Sequence, residues 1–544
     1  MSLSYMPATS GGELLRESTV GELLRVAAMR APDHTALVFA TAQDGIVARW
    51  TYAEMYAQAR AAACALRARF EPGERVAIWA PNRPEWFVVQ FGAALAGIVL
   101  VTVNPAFRSY EVGPLLQRAR LAGIVVARDS RGNPLRAMVD ALRPELPTVR
   151  EVIDLDGWAA FVASTPTSVV LPDVAPSDPV QIQFTSGTTG APKGAVLTHR
   201  GMSNVPRIAT EHFELGPAPV WINAMPLFHV GGCGLSTVGP MASLGTQVLL
   251  DRFDPALVLQ LVESEQATFL GGVPTMLIGL LEHPEFASRD LSSLKVVLSG
   301  GAAVAPDLVT HIERELGVKF LVAFGQTEAH GHVCQTRPDD TPQDKAATIG
   351  RPLPFIEFRV ADPATGATVE HGVIGELCAR HGALMTGYFD DPAATSAAID
   401  AEGWLHTGDL GTMDHRGYVT FTGRLKEVIV RGGENIHPRE IEDVLFMHPG
   451  VAEVSVVGVP DDRWGEQVAA FVRRNPASNP SAEDLQRHVR TMLAPQKVPT
   501  TITFVDSLPV NASGKVQKSV LVDQWAEKHP GHLPSNAAPD GSTK

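Results

Sequence analysis

Thr185, Ser186, Thr188 and Thr189, interleaved with Gly187 and Gly190 and followed by Lys193, are the residues of this chain best suited to holding phosphate. Glycine lets the backbone turn tightly and bring its N–H groups against a ligand, while hydroxyls and an ammonium donate to phosphate oxygens. Each such bond to an ionised phosphate contributes about 1.5–3 kcal/mol. This is not a Walker A loop, which ends in Gly-Lys followed by Ser or Thr; here Pro192 precedes Lys193 and Gly194 follows it. The plain alternative is a polar, Gly-rich surface loop. Further along, Phe324-Gly325-Gln326-Thr327-Glu328 offers an aromatic face and a carboxylate, and Thr407-Gly408-Asp409 and Gly423-Arg424 add a carboxylate, by itself more often a turn residue than a ligand, and a guanidinium. A carboxylate can accept from two adjacent hydroxyls at once. Gly514-Lys515 places a cation on a Gly-containing loop near the carboxyl end. Taken alone, such a Gly-Lys pair reads as ordinary surface.

The elements that must position these groups alternate strand and helix. Gln181 to Phe184 leads into the phosphate loop as a strand. Lys295 to Leu298 reads as a strand, followed by the Ser299-Gly300-Gly301 loop. Pro306 opens a helix with Leu308, Val309, Ile312 and Leu316 on one face, and Gly317 closes it. Val318 to Ala323 is the next strand and runs into Phe324. Such a βαβ unit predicts parallel strands with both loops at one sheet edge, and ligands of these sheets bind outside the carboxyl ends of the strands. The spacing predicts a second, α+β unit from about residue 424. In it come a strand over Val428 to Val430, a helix from Pro438 with Ile441, Val444 and Leu445 inward, strands over Val454 to Val457 and Val468 to Val472, and a helix capped by Ser481 and Asp484.

Length and composition agree with several folding units: 544 residues exceed one core. The net charge of −14, with no basic stripe, argues against a nucleic-acid surface. Met1 to Leu15 lacks a basic region followed by an apolar core, so no secretory signal is expected. Phe87 to Val103 is the most apolar run, but it is interrupted and shorter than the roughly 20 residues of a membrane span; it reads as a buried helix entering a buried strand. Cys64, Cys233, Cys334 and Cys378 show neither metal-like nor disulfide-like spacing. The expectation is a soluble, cytoplasmic protein without integral membrane association; its state of association, homodimer included, stays open. The His330-Gly331-His332 pair has no third ligand in view and is rejected as a metal site. The last stretch, 529–544, is rich in Pro, Gly, Ser and Asn and reads as a disordered tail.

The Phe184 to Gly194 run, continued by Thr198-His199, resembles the phosphate-binding signature of the adenylate-forming (AMP-binding) superfamily. The later motifs follow that family's order: Asn104-Pro105-Ala106-Phe107-Arg108, Pro226-Leu227-Phe228-His229, Phe324 to Glu328, Gly350-Arg351-Pro352, Met385-Thr386-Gly387-Tyr388, Thr407-Gly408-Asp409, Gly423-Arg424-Leu425-Lys426 and the terminal Gly514-Lys515. The resemblance covers roughly residues 20–525 and is nearest to the medium- and long-chain acyl-CoA synthetases of fatty acid metabolism. It implies a large α/β adenylating domain over 1–425 and a small mobile α+β domain over 426–528. It also implies ATP, Mg²⁺ and CoA as the reaction's small molecules.

By the same resemblance, Thr185, Ser186, Gly187, Thr188, Thr189, Gly190 and Lys193 hold the phosphates, and Thr188 also meets the metal with Glu328. Gly301, Phe324, Gly325, Gln326 and Thr327 line the purine; Asp409 and Arg424 hold the ribose. Lys515, His229, Thr188 and Lys193 serve the chemistry, and Lys426 is the hinge. The Arg431-Gly432-Gly433-Glu434-Asn435 loop turns toward the CoA thiol. His229, Val230, Gly231, Gly272, Val273, Gly300, Ala329 and His330 surround the acid. Around the terminal lysine, Val510-Asn511-Ala512 departs from an Arg-Thr-containing stretch common in the family, and Lys518 replaces a frequent Arg. The reaction implied is activation of a carboxylic acid to acyl-AMP with release of pyrophosphate, then transfer to the thiol of CoA. An amide ligase, a loader of a separate carrier-protein thiol, or an inactive nucleotide-binding protein are the alternatives.

Overall fold

The structure, a computed structural model, describes residues 3–9, 14–165, 169–185, 192–301, 304, 306–432, 434–461, 463–476, 478–511 and 515–529. Two broad sheets carry the large domain. In the first, the parallel strands Pro179–Thr185, Val99–Val103, Arg75–Trp79, Gly123–Val126 and Glu151–Asp154 lie side by side in that order. Lys193–Thr198 folds back antiparallel on Pro179–Thr185. The apolar run read from sequence becomes the helix Pro84–Ala96 and the fully buried strand Val99–Val103. That helix packs on Tyr52–Arg67 so closely that a Cβ at Gly92 would lie 2.7 Å from Ala62 Cβ.

The second sheet holds the predicted βαβ unit. Val296–Gly300 and Lys319–Phe324 are parallel, with Gly300 opposite Ala323, and Pro306–Leu316 crosses between them. Both strand ends, and hence both candidate loops, open on one edge, because a βαβ crossover returns the chain in the same direction. One face of this sheet buries Ile222, Leu270, Val297 and Phe320; the other buries Trp221, Phe269, Val296 and Leu321. A third, antiparallel sheet contains Glu357–Ala361, Gly375–Arg380, Leu405–Met413 and Val419–Arg424 in that order.

The small domain is a separate sheet with its own core of Ile429, Ile441, Leu445, Val456, Val468 and Leu485. Its long strands, Val451–Asp461 and Gly465–Arg474, are antiparallel and extend well past the stretches read from sequence. Two of its strands carry no long apolar alternation and escaped the sequence reading: Glu434–Ile436, a hairpin partner of Ile429–Arg431, and Thr501–Phe504, parallel to Gly465–Arg474. Ser481 and Asp484 form the expected reciprocal cap. The final helix, Lys518–Lys528, buries Leu521 and Trp525 on the other face of the sheet. Among the described residues no helix is long and apolar enough to cross a membrane.

Candidate active site

The phosphate end is built on a hairpin. Thr185 and Lys193, which flank the motif, are direct cross-strand partners. Ser186, Gly187, Thr188, Thr189 and Gly190 lie outside the described residues. Lys193 Nζ stands 5.2 Å from the centre of the Tyr388 ring. The Tyr388 hydroxyl donates to Glu328 Oε1 at 2.6 Å, and burial with the Glu328 charge beside it keeps that phenol protonated. Glu328 is buried, and its carbonyl accepts from Met385 N at 2.8 Å. A carboxylate bonded through one oxygen to a phenol retains lone pairs for a hard cation. Glu328 would therefore suit Mg²⁺, and the Tyr388 side chain links it to Lys193.

The residues expected at the purine lie where the two parallel strands end. Phe324 leans on Phe421 with ring centres 6.3 Å apart. Gly325 allows close approach of two loops, since a Cβ there would fall 2.3 Å from Gly331 O. Gln326 points a buried amide nitrogen that has no partner among the described residues. A buried donor left unmatched is costly, and a nucleotide base would supply its acceptor. Thr327 to Ala329 close the segment as a single three-ten turn, and Gly301 follows Gly300 at the neighbouring strand end.

Asp409 and Arg424 face each other across two antiparallel strands, and Arg424 Nε lies 3.0 Å from Asp409 Oδ1. Burial raises the Asp409 carboxyl above the usual range, while Arg424, Lys515 and Lys426 pull it back down. Lys515, from the small domain, is thus brought into the field of residues far from it in sequence. Burial, then the neighbouring Arg424 charge, lowers its ammonium to about 8 against the opposing effect of Asp409 and Glu427. Its backbone N–H donates to Asn511 Oδ1 at 2.9 Å. Lys426 sits in a three-ten turn, Leu425–Glu427, between the last large-domain strand and the first small-domain strand. The half-buried Lys518 ammonium bridges Glu427 at 3.1 Å and Glu442 at 3.0 Å, which ties the final helix to that turn.

His229 also feels Lys515: burial first, then that charge, lowers its imidazole to about 4, so it is neutral near pH 7. Gly231 N–H donates to His229 Nδ1 at 3.1 Å, which assigns the ring proton to Nε2. Val230, Val273 and Ala329 are buried nearby in sequence to this histidine or at strand ends, as is Gly272. His330 behaves differently from the expectation of an acid-lining side chain. Thr198 N–H donates to its Nε2 at 3.1 Å, and a Cβ at Gly201 would strike the ring at 2.2 Å. Its imidazole packs under the start of the His199–Glu211 helix. Arg431 donates to Gln496 O at 2.6 Å, Gly432 N–H donates to Trp464 O at 2.8 Å, and Glu434 with Asn435 returns as a strand. This loop belongs to the edge of the small sheet; Gly433 lies outside the described residues.

Two groups escaped the sequence reading as site residues. Tyr388 was visible within its motif, but nothing local reveals that its hydroxyl reaches Glu328. Glu376, whose Oε1 accepts from Gly408 N at 2.9 Å, has no motif signal at all. It gathers with Cys378 and His406, ligand-type residues that sequence spacing left scattered.

The AMP-binding enzyme family profile matches residues 24–389, and the profile of the AMP-binding enzyme C-terminal domain matches residues 440–515. The putative acyl-CoA synthetase YngI of Bacillus subtilis is 37% identical over 542 residues, spanning 94% of this chain and 98% of that protein. The mitochondrial medium-chain acyl-CoA ligase ACSF2 of Macaca fascicularis is 33% identical over 567 residues, spanning 97% and 90%. The solved structure of the amide bond synthetase McbA from Marinactinospora thermotolerans superposes with a TM-score of 0.80 at 30% identity, covering 93% of this chain and 99% of that one. The hairpin, strand-end and small-domain groups described above therefore sit in the order and on the fold of adenylate-forming enzymes, and the chain belongs to the AMP-binding enzyme family.

Proposed function

We propose that the protein is an acyl-CoA synthetase. It converts a carboxylic acid and ATP to acyl-AMP and pyrophosphate, then passes the acyl group to the CoA thiol. The observation that carries this reading is the position of the small-domain Lys515 ammonium in the shared field of Asp409, Arg424 and His229. The carboxylate oxygen attacks the α-phosphorus, the bond to the bridging oxygen breaks, and pyrophosphate leaves. Lys515 offsets the charge that accumulates between the two anions. The neutral His229 donates from Nε2 to the acid, which binds it without removing a proton. Asp409 and Arg424 hold the ribose, Phe324 covers the purine, and Lys193 meets the phosphates. Glu328 would hold Mg²⁺, which would supply charge neutralisation at the phosphate oxygens.

In the second half the small domain, 426–528, turns about Lys426 relative to 1–425, withdrawing Lys515 and presenting the Arg431–Asn435 loop. The thiolate attacks the acyl carbon and AMP leaves with the electron pair. Medium-chain acids head the list to be tried, because the ACSF2 relative is a medium-chain ligase. An amine acceptor is the second reading, favoured by the likeness to an amide bond synthetase. Pyrophosphate release over a panel of acids tests the first half. Lys515→Ala should abolish acyl-AMP formation and leave thioester synthesis from supplied acyl-AMP largely intact; equal loss of both would make the lysine structural. Mass spectrometry of products formed with CoA or with a mixture of amines decides the acceptor.

A further inference from the structure

The carboxylate assigned to the ribose does not sit on regular strand. In the pairing of Gly375–Arg380 with Leu405–Met413, Cys378 lies opposite His406 and Glu376 lies opposite Leu410. The strand therefore bulges over Thr407, Gly408 and Asp409, with only Leu377 across from them. Bulges re-aim side chains at the expense of ladder bonds, so this one needs other anchors. Thr407 Oγ1 donates to Leu377 O at 2.7 Å, and Asp409 N–H donates to Thr407 Oγ1 at 3.1 Å. Gly408, at φ +69°, turns its N–H to Glu376 Oε1. The other oxygen of Glu376 lies 2.8 Å from His406 Nδ1, and His406 Nε2 lies 3.3 Å from Asp400 Oδ2.

An imidazole lying between two carboxylates can donate to both only as the imidazolium. We propose that His406, as an imidazolium between Asp400 and Glu376, is a positioning residue that locks the Gly408–Asp409 bulge in the geometry that receives the ribose hydroxyls. The inference rests on the reading that Asp409 holds ribose. The titratable and charged groups facing His406 are Glu376 and Cys378 from one strand and Asp400 from the preceding turn. Arg359 stands behind Asp400 at 3.6 Å. Burial lowers the His406 imidazole, but the two carboxylates outweigh it and hold it above its ordinary value. Burial, then the adjacent Glu376 charge, pushes the neighbouring Cys378 thiol up to about 12, so it faces His406 as a neutral group. Asp400 is itself fixed, its Oδ1 accepting from Glu402 N and Trp404 N at 2.9 Å each.

The test is the ratio of affinities for ATP and 2′,3′-dideoxy-ATP, measured calorimetrically on the full chain with Mg²⁺ and without any acid. The wild-type protein should prefer ATP. In His406→Gln that preference should shrink by about tenfold, the loss of one charge-assisted hydrogen bond, with affinity for the dideoxy nucleotide nearly unchanged. His406→Arg, which keeps a cation, should recover most of the preference. Asp400→Asn, whose amide oxygen can still accept from the turn, should reduce it in the same direction and covers the case in which His406→Gln does not fold. A wild-type protein indifferent to the ribose hydroxyls would overturn the ribose reading and the relay with it. A wild-type preference that survives in both His406→Gln and Asp400→Asn would overturn the relay alone.

Discussion

At the scale of single residues, the proposed reaction divides the charge work at the acid between His229 and Lys515. Lys515 is useful only as an ammonium, and its surroundings hold it near 8. Its pKa in the folded protein lies below that of a free lysine, so the charged form is lost as pH rises through about 8. The kcat/KM of acyl-AMP formation should therefore fall across that range, while thioester formation from supplied acyl-AMP should not follow it. Lys515→Arg should remove this alkaline limb even if its rate is lower, because a guanidinium stays charged. His229 is already neutral at pH 7 and acts as a donor, so His229→Ala should raise KM for the acid about tenfold, the worth of one hydrogen bond to a charged group. An unchanged KM in steady-state pyrophosphate release would remove His229 from the acid's binding site.

Elements set the tolerances within which these residues work. Gly300 ends one parallel strand opposite Ala323, and a Cβ there would lie 2.5 Å from the Ala323 carbonyl oxygen. The obstructing atom is backbone, so Gly300→Ala cannot be absorbed by a side-chain turn and must part the two strands. The expected cost is about 1–3 kcal/mol of stability, typical of overpacking, read as a lower midpoint in denaturant unfolding. Because Gly301 and Phe324 follow directly at these strand ends, KM for ATP should rise as well. A variant with wild-type stability and wild-type KM would show that the strand ends are looser than the sheet register implies.

Over the whole molecule, two bodies with separate cores are joined in the chain by one short turn. Lys426 lies in the Leu425–Glu427 three-ten turn, and the half-buried Lys518 pairing with Glu427 and Glu442 braces the final helix against it. Burial pulls the Lys518 ammonium down, but the two carboxylates more than restore it. Proline at 426 fixes φ and restricts the residue before it. Lys426→Pro should therefore keep pyrophosphate exchange and lower acyl-CoA formation by orders of magnitude, as stopped-time assays of the two half-reactions would show. Acyl-CoA formed at the normal rate would exclude Lys426 as the pivot.

The chain by itself determined the parts that depend on local composition and period. The βαβ unit around Pro306–Leu316, the buried helix and strand between Pro84 and Val103, and the Ser481 cap were legible because apolar spacing, proline and capping residues act within a few positions. Family resemblance added the order of the adenylating motifs. The short strands Glu434–Ile436 and Thr501–Phe504 were not legible, since their pairing is decided by a distant partner and not by their own pattern. Tertiary structure alone decided which chemical groups meet: Tyr388 on Glu328, Lys515 beside Asp409 and Arg424, and Glu376 with His406 beneath the Asp409 bulge. It also turned the His330 ring under a helix start, where sequence had placed it with the acid. Side-chain direction at a strand end depends on register and bulges, which form only when strands far apart in the chain pair, and no local pattern encodes them.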